Sequence, residues 1–330
     1  MLDGQTVKTK NLYEAISDLY GEKNIKIIDT YNVKFRFPIV LFLIIRAFLS
    51  CESVIMLPAH NGIKIFAPFF YILKKIFRKK TYYCVIGGWL PSFLADKPRL
   101  CDSLKSFDGI FVETNTMKSA LCEYEFENVI VLPNFKKLQI IDPSDITVDS
   151  AFPLRLCTFS RVMKEKGIDQ YLEAAKVIRK KYPQTRFHVC GACEPEYNGE
   201  LQKLVDDKTI IYHGLVKDII AIHRVTHCTV HPTYYPEGMS NVLLEACASG
   251  RPIITTDRAG CREIIDDGVN GFVVQQKDSN DLIDKLEKFI NLSYEQKKAM
   301  GLAARTKVEK EFDRKIVVRK YLDEVLRYIV

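Results

Sequence analysis

The chain has 330 residues, 47% hydrophobic and 27% charged, an ordinary soluble composition that predicts two domains of roughly 150 residues. Its ten cysteines lack framework spacing and no signal peptide opens the chain, which excludes a disulfide-built secreted module and favours a cytoplasmic protein. The net charge is +7, and the excess lies in residues 1–140, with 19 basic and 13 acidic side chains.

The first half of the chain alternates short β-rich runs with helical patterns. It opens on a loop-like string, residues 1–6, with no strand before it, although a doubly wound domain normally begins with one. The first strand is therefore predicted to be missing or the sheet incomplete. The predicted strands are residues 25–29, 53–58, 82–86, 109–112 and 129–132, an order typical of βαβ units.

Two apolar segments of this half are relevant to whether the chain contacts a membrane. Residues 38–49 are strongly apolar, but the segment contains Arg46 and falls short of the roughly 20 residues that a membrane-spanning helix needs. Residues 64–80 combine apolar side chains at helical spacing with a cluster of lysines and arginine, which predicts a basic amphipathic helix. Two interpretations stay open: a surface helix packed on the domain core, or a helix that docks on anionic lipid headgroups.

A polar stretch around residues 142–145 has the composition of a linker, and a second alternating unit follows it. Its predicted strands are residues 154–159, 185–189, 209–212, 228–231, 252–256 and 272–274. The predicted domains are residues 1–140 and 150–312, both α/β and Rossmann-like and facing a central cleft. Residues 313–330 form a helical pattern expected to pack back toward the first domain.

The segment 234–250 places a flexible glycine and a serine suited to N-capping ahead of a short apolar helix that ends at Gly250. Such a helix start presents free N–H groups and about half a positive charge, which suits a diphosphate. The helix reads as apolar on all sides, so Glu245 is expected in a dry setting, where it needs an ion-pair partner or a ligand hydroxyl. Glu237 taken alone would be interpreted as a solvated acid, and only its pairing with Glu245 makes it a candidate site residue.

A second cluster of polar residues, in segment 159–167, follows a predicted strand. Arg161 and Lys166 lie at the carboxyl end of that strand, the edge at which open α/β sheets bind ligands, so they are candidates to neutralise a diphosphate. The alternative is a solvated basic loop. Cys190 and Cys193 form a lone CxxC, interpreted as a loop and not as a metal or redox site.

Three motifs in order carry a family resemblance: Arg161 with Lys166, the pair Glu237 and Glu245, and segment 259–274. The chain resembles family-4 glycosyltransferases of the GT-B fold, of the bacterial surface-polysaccharide type. The likeness covers the second half, and in the first half Gly4-Gln5-Thr6 and Leu132-Pro133-Asn134 look like the family's first glycine loop and its pre-linker segment.

The resemblance implies a role for each matching position. Arg161 and Lys166 hold the donor diphosphate and act in catalysis with Glu237, which also holds the transferred sugar, and Glu245 holds the ribose hydroxyls. The other implied donor-binding residues are Gly4, Gln5, Gly214, Val216, Gly238, Met239, Ser240, Asn241 and Val242. The implied reaction is retaining transfer of a hexose-type sugar from a nucleotide diphosphate sugar, without a cofactor or a divalent metal, and no D-x-D motif is evident.

The first domain is expected to bind the acceptor. Where many relatives carry a histidine after the fourth strand, this sequence reads Val85-Ile86-Gly87-Gly88-Trp89, so that role is in doubt. His60, Gly88 and Trp89 are the acceptor-side candidates. The expected partners are a lipid-linked or oligosaccharide acceptor and an anionic membrane surface, with no nucleic acid, and the expected location is the cytoplasm, peripheral on the inner face of the membrane.

Three alternatives remain open. A non-hydrolysing nucleotide-sugar epimerase shares this scaffold but needs acid–base groups that the sequence does not assemble. A catalytically inactive membrane-surface binding protein is suggested by residues 64–80. A dinucleotide-dependent oxidoreductase is disfavoured because no G-x-G-x-x-G follows a predicted strand.

Overall fold

The computed structural model describes residues 4–30, 33–135, 153–236 and 238–326. The chain divides into two compact units, one formed by residues 1–134 and 314–330 and the other by residues 135–313. Each unit has its own parallel sheet and its own apolar core.

The first unit alternates helices and strands along the chain. Its helices before residue 134 are α1 (Gly4–Tyr20), α2 (Val33–Ser50), α3 (His60–Phe77), α4 (Leu90–Leu94), α5 (Pro98–Lys105) and α6 (Asn115–Cys122). Its strands are β1 (Ser53–Met56), β2 (Lys80–Cys84), β3 (Gly109–Val112) and β4 (Val129–Val131). They form one parallel sheet in the order β1-β2-β3-β4, and among the described residues β1 pairs only with β2.

Two predictions for the start of the chain are wrong. Gly4 and Gln5 belong to the first turn of α1 and not to a glycine loop. Residues 25–29 were expected to form a strand, yet they belong to neither a helix nor a strand, although Ile25 has an extended backbone. A strand exists only where a neighbour accepts its backbone hydrogen bonds, and none of the sheet's strands lies beside this segment.

Helix α3 is amphipathic but begins and ends earlier than the predicted residues 64–80: it begins at His60, Arg78 adopts the left-handed conformation (φ 53°) and ends it, and Lys80 already belongs to β2. The predicted apolar stripe divides between two faces. Phe66 and Leu73 are buried in the core, whereas Ile65 and Ile76 are 49% and 64% exposed. Among the described residues, no helix is both long enough and apolar enough to cross a lipid bilayer.

The second unit has six strands and six helices among its described residues. The strands are β5 (Arg155–Phe159), β6 (Arg186–Cys190), β7 (Ile210–Tyr212), β8 (Cys228–His231), β9 (Ile253–Thr256) and β10 (Gly271–Val274). The helices are α7 (Ile168–Lys181), α8 (Asn198–Asp206), α9 (Ile219–Val225), α10 (Asn241–Ala248), α11 (Ser279–Ile290) and α12 (Tyr294–Glu311). All strands are parallel, in the order β10-β9-β8-β5-β6-β7.

The four central strands of this sheet are almost continuously buried, as expected for a parallel sheet covered by helices on both faces. Each predicted strand of the second half is found within one residue of its predicted start. Helix α7 shows why the pattern was readable: its buried residues recur at helical spacing while Arg179, Lys180 and Lys181 occupy the last turn.

The last described helix is α13 (Arg314–Leu326), which belongs to the first unit. Arg314 donates to the carboxylate of Asp18 on α1 at 2.8 Å. The buried ring of Tyr321 lies edge-on to Phe111 of β3, with centroids 5.1 Å apart, and its hydroxyl is 3.4 Å from the sulfur of Cys84 in β2. The helix thus covers one face of the first sheet.

Two buried histidines make the second unit sensitive to acid. Burial lowers the pKa of His188 to about 4, with a further contribution from the neighbouring His213, and burial lowers the pKa of His223 to about 3, with a contribution from Arg251. Both values lie below the ordinary 6.5, so the unfolded chain binds more protons than the folded chain below pH 6.5. The contribution of these two neutral histidines to the free energy of unfolding is complete above pH 6.5 and is lost as the pH falls toward 4.

We expect the free energy of unfolding to fall between pH 7.5 and pH 5 by about 2 kcal/mol for each of the two histidines. Urea titrations at the two pH values measure this loss. In His223→Leu, which removes the ring that packs on Phe159 with centroids 4.3 Å apart, about half of the pH dependence should disappear. His60→Ala, at an exposed position, is the control. A wild-type loss below about 1 kcal/mol would contradict the account.

Candidate active site

The order in which successive strands are added to the second sheet reverses between β5 and β8. From β5 it builds outward to β6 and β7, and from β8 it builds the other way to β9 and β10, so that β5 and β8 are neighbours. The carboxyl ends of two such strands form a topological switch point, where ligands of open α/β sheets bind. The loops that leave β5 and β8 contain the predicted cations and the predicted phosphate-binding helix start.

The loop after β5 presents both cations. Arg161 is exposed, and its Nη1 lies 3.8 Å from Oε1 of Glu194, which follows β6. Both side chains are more than a third exposed, so this ion pair is weak and an incoming anion could displace it. Lys166 ends a short 3₁₀ turn, Lys164–Lys166, and its Nζ lies 4.7 Å from the centre of the Tyr235 ring.

Close backbone contacts hold the β5 and β8 loops together. Gly167 has φ of +72°, and a Cβ atom there would lie 2.0 Å from the carbonyl oxygen of Pro232. The N–H of Tyr234 donates to the carbonyl oxygen of Glu165 at 2.9 Å. Lys166, between these contacts, is thereby fixed against the loop that leads to α10.

Helix α10 begins where the sequence predicts, but the predicted N-cap hydrogen bond is not made. Ser240 occupies the N-cap position and is buried, yet its side chain makes no capping hydrogen bond. Gly260, with φ of +84°, allows the loop after β9 to approach: a Cβ atom there would lie 1.9 Å from the oxygen of Gly238. The predicted sugar-binding Glu237 lies outside the described residues, while Gly238 and Met239 are buried.

Helix α10 is not apolar on all sides, which corrects the expectation for Glu245. Its buried residues pack with α12, among them Leu243, Leu244, Ala246, Cys247 and Ala248. Asn241 is exposed, and Val242 and Glu245 are half-buried. Residues four apart share a helix face, so Asn241 and Glu245 point to the same open side, and the Glu245 carboxylate is accessible to a ligand instead of being dry.

Three of the implied donor-binding residues, Gly214, Val216 and Val242, lie at the same sheet edge. Val216 and Val242 pack against the small cluster of Cys157, Phe159 and Cys190 at the ends of β5 and β6. The carbonyl of Gly214 accepts a hydrogen bond from the N–H of Gly191 at 2.8 Å, and the space around a Cβ atom of Gly214 is open. An apolar platform therefore lies beside the start of α10.

The lone CxxC belongs partly to this platform. Cys190 is the last residue of β6 and is buried, whereas residues 191–193 leave the strand as the loop that the sequence suggested. The sulfur of Cys157 lies 3.8 Å from that of Cys190, and all ten cysteines are free. Among the described residues no group of three or more His, Cys, Asp or Glu side chains is arranged to hold a metal ion.

The acceptor-side candidates meet in the first unit. The ring of His60, at the start of α3, stacks on Trp89 with centroids 3.8 Å apart, and Phe93 lies edge-on to both rings. Trp89 is half-buried and the neighbouring Gly88 is exposed. Gly4 and Gln5 lie on α1 of this unit, whereas the other predicted donor-binding residues lie in the second unit.

Sequence reasoning missed several residues of the site. Glu194 contacts Arg161, the Tyr235 ring lies beside Lys166, and Arg258 donates from Nε to the carbonyl oxygen of Tyr235 at 3.1 Å. All three follow the carboxyl ends of predicted strands, so the sheet-edge rule applied to every strand would have found them.

The second unit matches a known protein family. Residues 153–307 match the family model described as Glycosyl transferases group 1. The chain is 29% identical over 160 residues to the capsular polysaccharide biosynthesis glycosyltransferase CapM of Staphylococcus aureus, covering 48% of this chain and 42% of CapM. It is 23% identical over 241 residues to the poly(ribitol-phosphate) alpha-N-acetylglucosaminyltransferase of Staphylococcus aureus strain COL, covering 70% and 46%. The chain thus spans less than half the length of these relatives.

A likeness to solved structures extends over both units. The Anabaena protein HepE, solved in complex with UDP and glucose, superposes with a TM-score of 0.72 and 15% identity, covering 99% of this chain and 96% of HepE. The chain therefore has the GT-B fold, and its residues 153–307 match the family model of the group 1 glycosyl transferases.

Proposed function

We propose that the chain is a glycosyltransferase that moves a hexose-type sugar from a nucleotide diphosphate sugar to a saccharide acceptor in bacterial polysaccharide synthesis. One observation supports this most strongly: Lys166 and the start of α10 lie on the two loops that leave the switch point between β5 and β8. A cation beside a helix amino end, at the ligand-binding edge of a parallel sheet, is suited to a diphosphate.

The donor would lie along the carboxyl edge of the second sheet. Its diphosphate would accept hydrogen bonds from the first turn of α10 and from Lys166, with Arg161 turning from Glu194 toward it. The base would rest near Gly214 and Val216, on the apolar platform that Val242 shares. Glu245, on the open face of α10, would accept from the ribose hydroxyls. Gly238 to Asn241 and Glu237 would hold the transferred sugar.

The reaction we propose retains anomeric configuration and needs no metal. The acceptor oxygen forms a bond to the anomeric carbon on the face that the diphosphate leaves. The bond from that carbon to the diphosphate oxygen breaks, and its electron pair stays on the diphosphate. The proton of the acceptor hydroxyl moves to the leaving diphosphate. The growing charge on the leaving group would be met by Lys166, Arg161 and the α10 dipole, whose donors are already in place.

The acceptor would bind in the first unit, on the aromatic group of His60, Trp89 and Phe93. His60 follows β1 and Trp89 follows β2, so both lie at the carboxyl edge of that sheet. Lys64 and Lys97 lie 5.4 and 4.5 Å from the centre of the Phe93 ring, and Lys97 also pairs with Asp96, so lysine side chains lie beside this aromatic group. Such a surface suits a sugar ring that is attached to an anionic carrier, such as a lipid diphosphate.

A membrane-facing surface on the first unit would bring the enzyme to a lipid-linked acceptor. Helix α2 exposes Ile39, Phe42 and Leu49 along one face with Arg46 between them. The neighbouring α3 exposes Ile65, Ile72 and Ile76, which are between 49% and 64% exposed. Besides Arg46, exposed cations on and directly after α3 are Lys64, Lys75 and Arg78. We propose that these residues dock the chain peripherally on the inner, anionic face of the cell membrane.

The docking proposal predicts binding to vesicles rich in phosphatidylglycerol and much weaker binding to phosphatidylcholine vesicles. Replacing Ile72 and Ile76 together by aspartate should lower the affinity at least about tenfold, because two apolar contacts are lost and negative charge is added. Val177→Asp, at an exposed apolar position on α7, is the matched control and should bind as the wild type. Equal binding of the wild type to both kinds of vesicle would refute the proposal.

A thermal-shift panel of UDP-, GDP- and other nucleotide sugars tests the proposed function. A donor at about 100 times its Kd stabilises the folded chain by about 2.7 kcal/mol, which raises Tm by about 5–10 °C. We expect one nucleotide series to give such a shift in the presence of EDTA. No shift with any nucleotide sugar would favour an inactive binding protein, and isomerisation of a donor without an acceptor would favour an epimerase.

A further inference from the structure

The loop after β9, residues 257–262, contacts the backbone that is proposed to hold the transferred sugar. We refer to residues 238–241 as the sugar-holding segment. The transfer reaction proposed above gives the loop no part, since the diphosphate is met by Lys166, Arg161 and the start of α10. The contacts of the loop indicate what it does for the donor.

Tyr235, which leads into the sugar-holding segment, is held at three points. Its N–H donates to the hydroxyl oxygen of Thr233 at 3.2 Å, and its carbonyl oxygen accepts a hydrogen bond from Nε of Arg258 at 3.1 Å. Its ring centre lies 4.7 Å from Nζ of Lys166. The peptide group that joins Tyr235 to Pro236 therefore has a defined position.

Pro236 passes this position on along the chain. A peptide group is planar and the proline ring holds φ at about −65°, so only ψ of Pro236 is free before the next peptide group. Tyr235 is restricted as well, because a residue ahead of proline avoids the helical region. A shift of the Tyr235 carbonyl group would therefore shift the chain that enters the sugar-holding segment.

The same loop also contacts the sugar-holding segment itself. Gly260 has φ of +84°, and a Cβ atom there would lie 1.9 Å from the carbonyl oxygen of Gly238, so the two backbones are in close contact. The N–H of Ser240 donates to the carbonyl oxygen of Gly260 at 3.3 Å. One loop thus holds both the segment and, through Arg258, the chain that leads into it.

The loop after β9 is itself firmly supported. The N–H of Asp257 donates to the carbonyl oxygen of Val274 at 3.1 Å, and its carboxylate accepts a hydrogen bond from the side chain of Gln276 at 2.9 Å. The carbonyl oxygen of Arg258 accepts from the N–H of Cys261 at 3.0 Å, and Cys261 is buried. Because the loop is tied to β10 and to the core, it can hold its partners in place.

Two arginines of this loop differ in what their side chains do. Arg258 is half-buried, and its side chain makes the hydrogen bond to Tyr235. Arg262 has an exposed side chain, and it contacts Arg258 through its backbone N–H, which donates to the Arg258 carbonyl oxygen at 2.8 Å. Replacing Arg262 therefore removes the same charge from the same loop but leaves the contact with Tyr235.

We propose that Arg258 is a positioning residue for the transferred sugar: it fixes the chain that leads into the sugar-holding segment. This role rests on the proposed function, in which that segment contacts the sugar and other residues bind the nucleotide. A displacement of about 1 Å in a group that positions a substrate can lower the rate about a hundredfold. Loss of the Arg258 side chain therefore impairs transfer and sugar recognition, and not binding of the nucleoside diphosphate.

The experiment compares Arg258→Met with Arg262→Met in the full chain, with the donor that stabilises the wild type most. We expect kcat of Arg258→Met to fall at least about tenfold, while its Kd for the nucleoside diphosphate changes less than about twofold. Its preference for that donor over the C4 epimer, as a ratio of kcat/KM values, should fall at least about threefold. Arg262→Met should match the wild type in all three. Arg258→Lys retains an N–H donor and should recover part of the lost kcat.

Hydrogen exchange tests the contact without any substrate. The N–H of Tyr235 should exchange at least about fivefold faster in Arg258→Met than in the wild type, and at the wild-type rate in Arg262→Met. Unchanged kcat and donor preference in Arg258→Met would overturn the proposal, and so would a loss of nucleoside diphosphate affinity as large as the loss of kcat. A wild type that binds no nucleotide sugar would instead refute the proposed function, and this role with it.

Discussion

Replacing Lys166 by alanine should lower kcat/KM for sugar transfer by about 10- to 150-fold. The ammonium group lies on the loop that faces the start of α10, where the leaving diphosphate develops its charge in our proposal. A charge-assisted hydrogen bond contributes about 1.5–3 kcal/mol, and each 1.36 kcal/mol of lost transition-state stabilisation lowers the rate tenfold. Release of the nucleoside diphosphate, with the donor that stabilises the chain most, measures this loss. We expect at least a tenfold loss for Glu245→Ala as well.

The control for this experiment is in the same 3₁₀ turn. Lys164 is exposed two residues earlier, so Lys164→Ala removes the same charge without touching the loop after β8. It should retain at least half of the wild-type kcat/KM, because a single exposed charge has a small effect on a ligand that it does not contact. Near-normal activity in both Lys166→Ala and Glu245→Ala would refute the assignment of the donor site.

The second large effect concerns the stability of the first unit. Lys8 and Glu113 form a buried ion pair, with side chains 5% and 3% exposed. Burial opposes the charged form of Lys8, but the Glu113 carboxylate and Cys84 together outweigh it and raise the pKa of Lys8 above its ordinary value. Lys8→Met leaves a buried carboxylate without its lysine, which should lower the free energy of unfolding by about 3–5 kcal/mol in urea titrations followed by circular dichroism.

A double replacement separates the ion pair from simple packing. Lys8→Met with Glu113→Leu removes both charges, and since buried pairs are often replaceable by apolar side chains, the double variant should recover most of the loss. Lys10→Met on the same helix breaks only an exposed pair with Glu14, at 3.7 Å, and should cost less than about 0.5 kcal/mol. A loss below about 1 kcal/mol in Lys8→Met would contradict this view of the pair.

The fold of the second unit could be predicted from the sequence because its signals are local. Buried runs such as residues 228–231 are bounded by polar turns, and α7 shows helical spacing with cations in its last turn. The positions of Arg161, Lys166 and Ser240 at one sheet edge followed from the rule that parallel strands end on the same side. The sequence could not show that Ser240 leaves its cap unmade, because that depends on the loop held by Gly260.

The first unit shows where local signals fail. Residues 25–29 have the composition of a strand, but a strand requires a neighbour, and a cavity lies between this segment and β1. The apolar residues of 64–80 have helical spacing, yet spacing alone does not tell which face the core covers, so Ile65 and Ile76 proved to be exposed. Glu245 is a similar case, since the open side of α10 is set by the packing of α12 on the other side.

The most direct test of the donor site is a crystal structure of the full chain with UDP, grown in the presence of EDTA. We expect oxygens of the diphosphate within about 3.2 Å of backbone N–H groups in the first turn of α10 and of the Lys166 Nζ, with the uracil near Val216. Glu245 should accept hydrogen bonds from the ribose. UDP bound away from the edge of β5 and β8, or bound only when a divalent metal bridges its phosphates to the protein, would contradict the account.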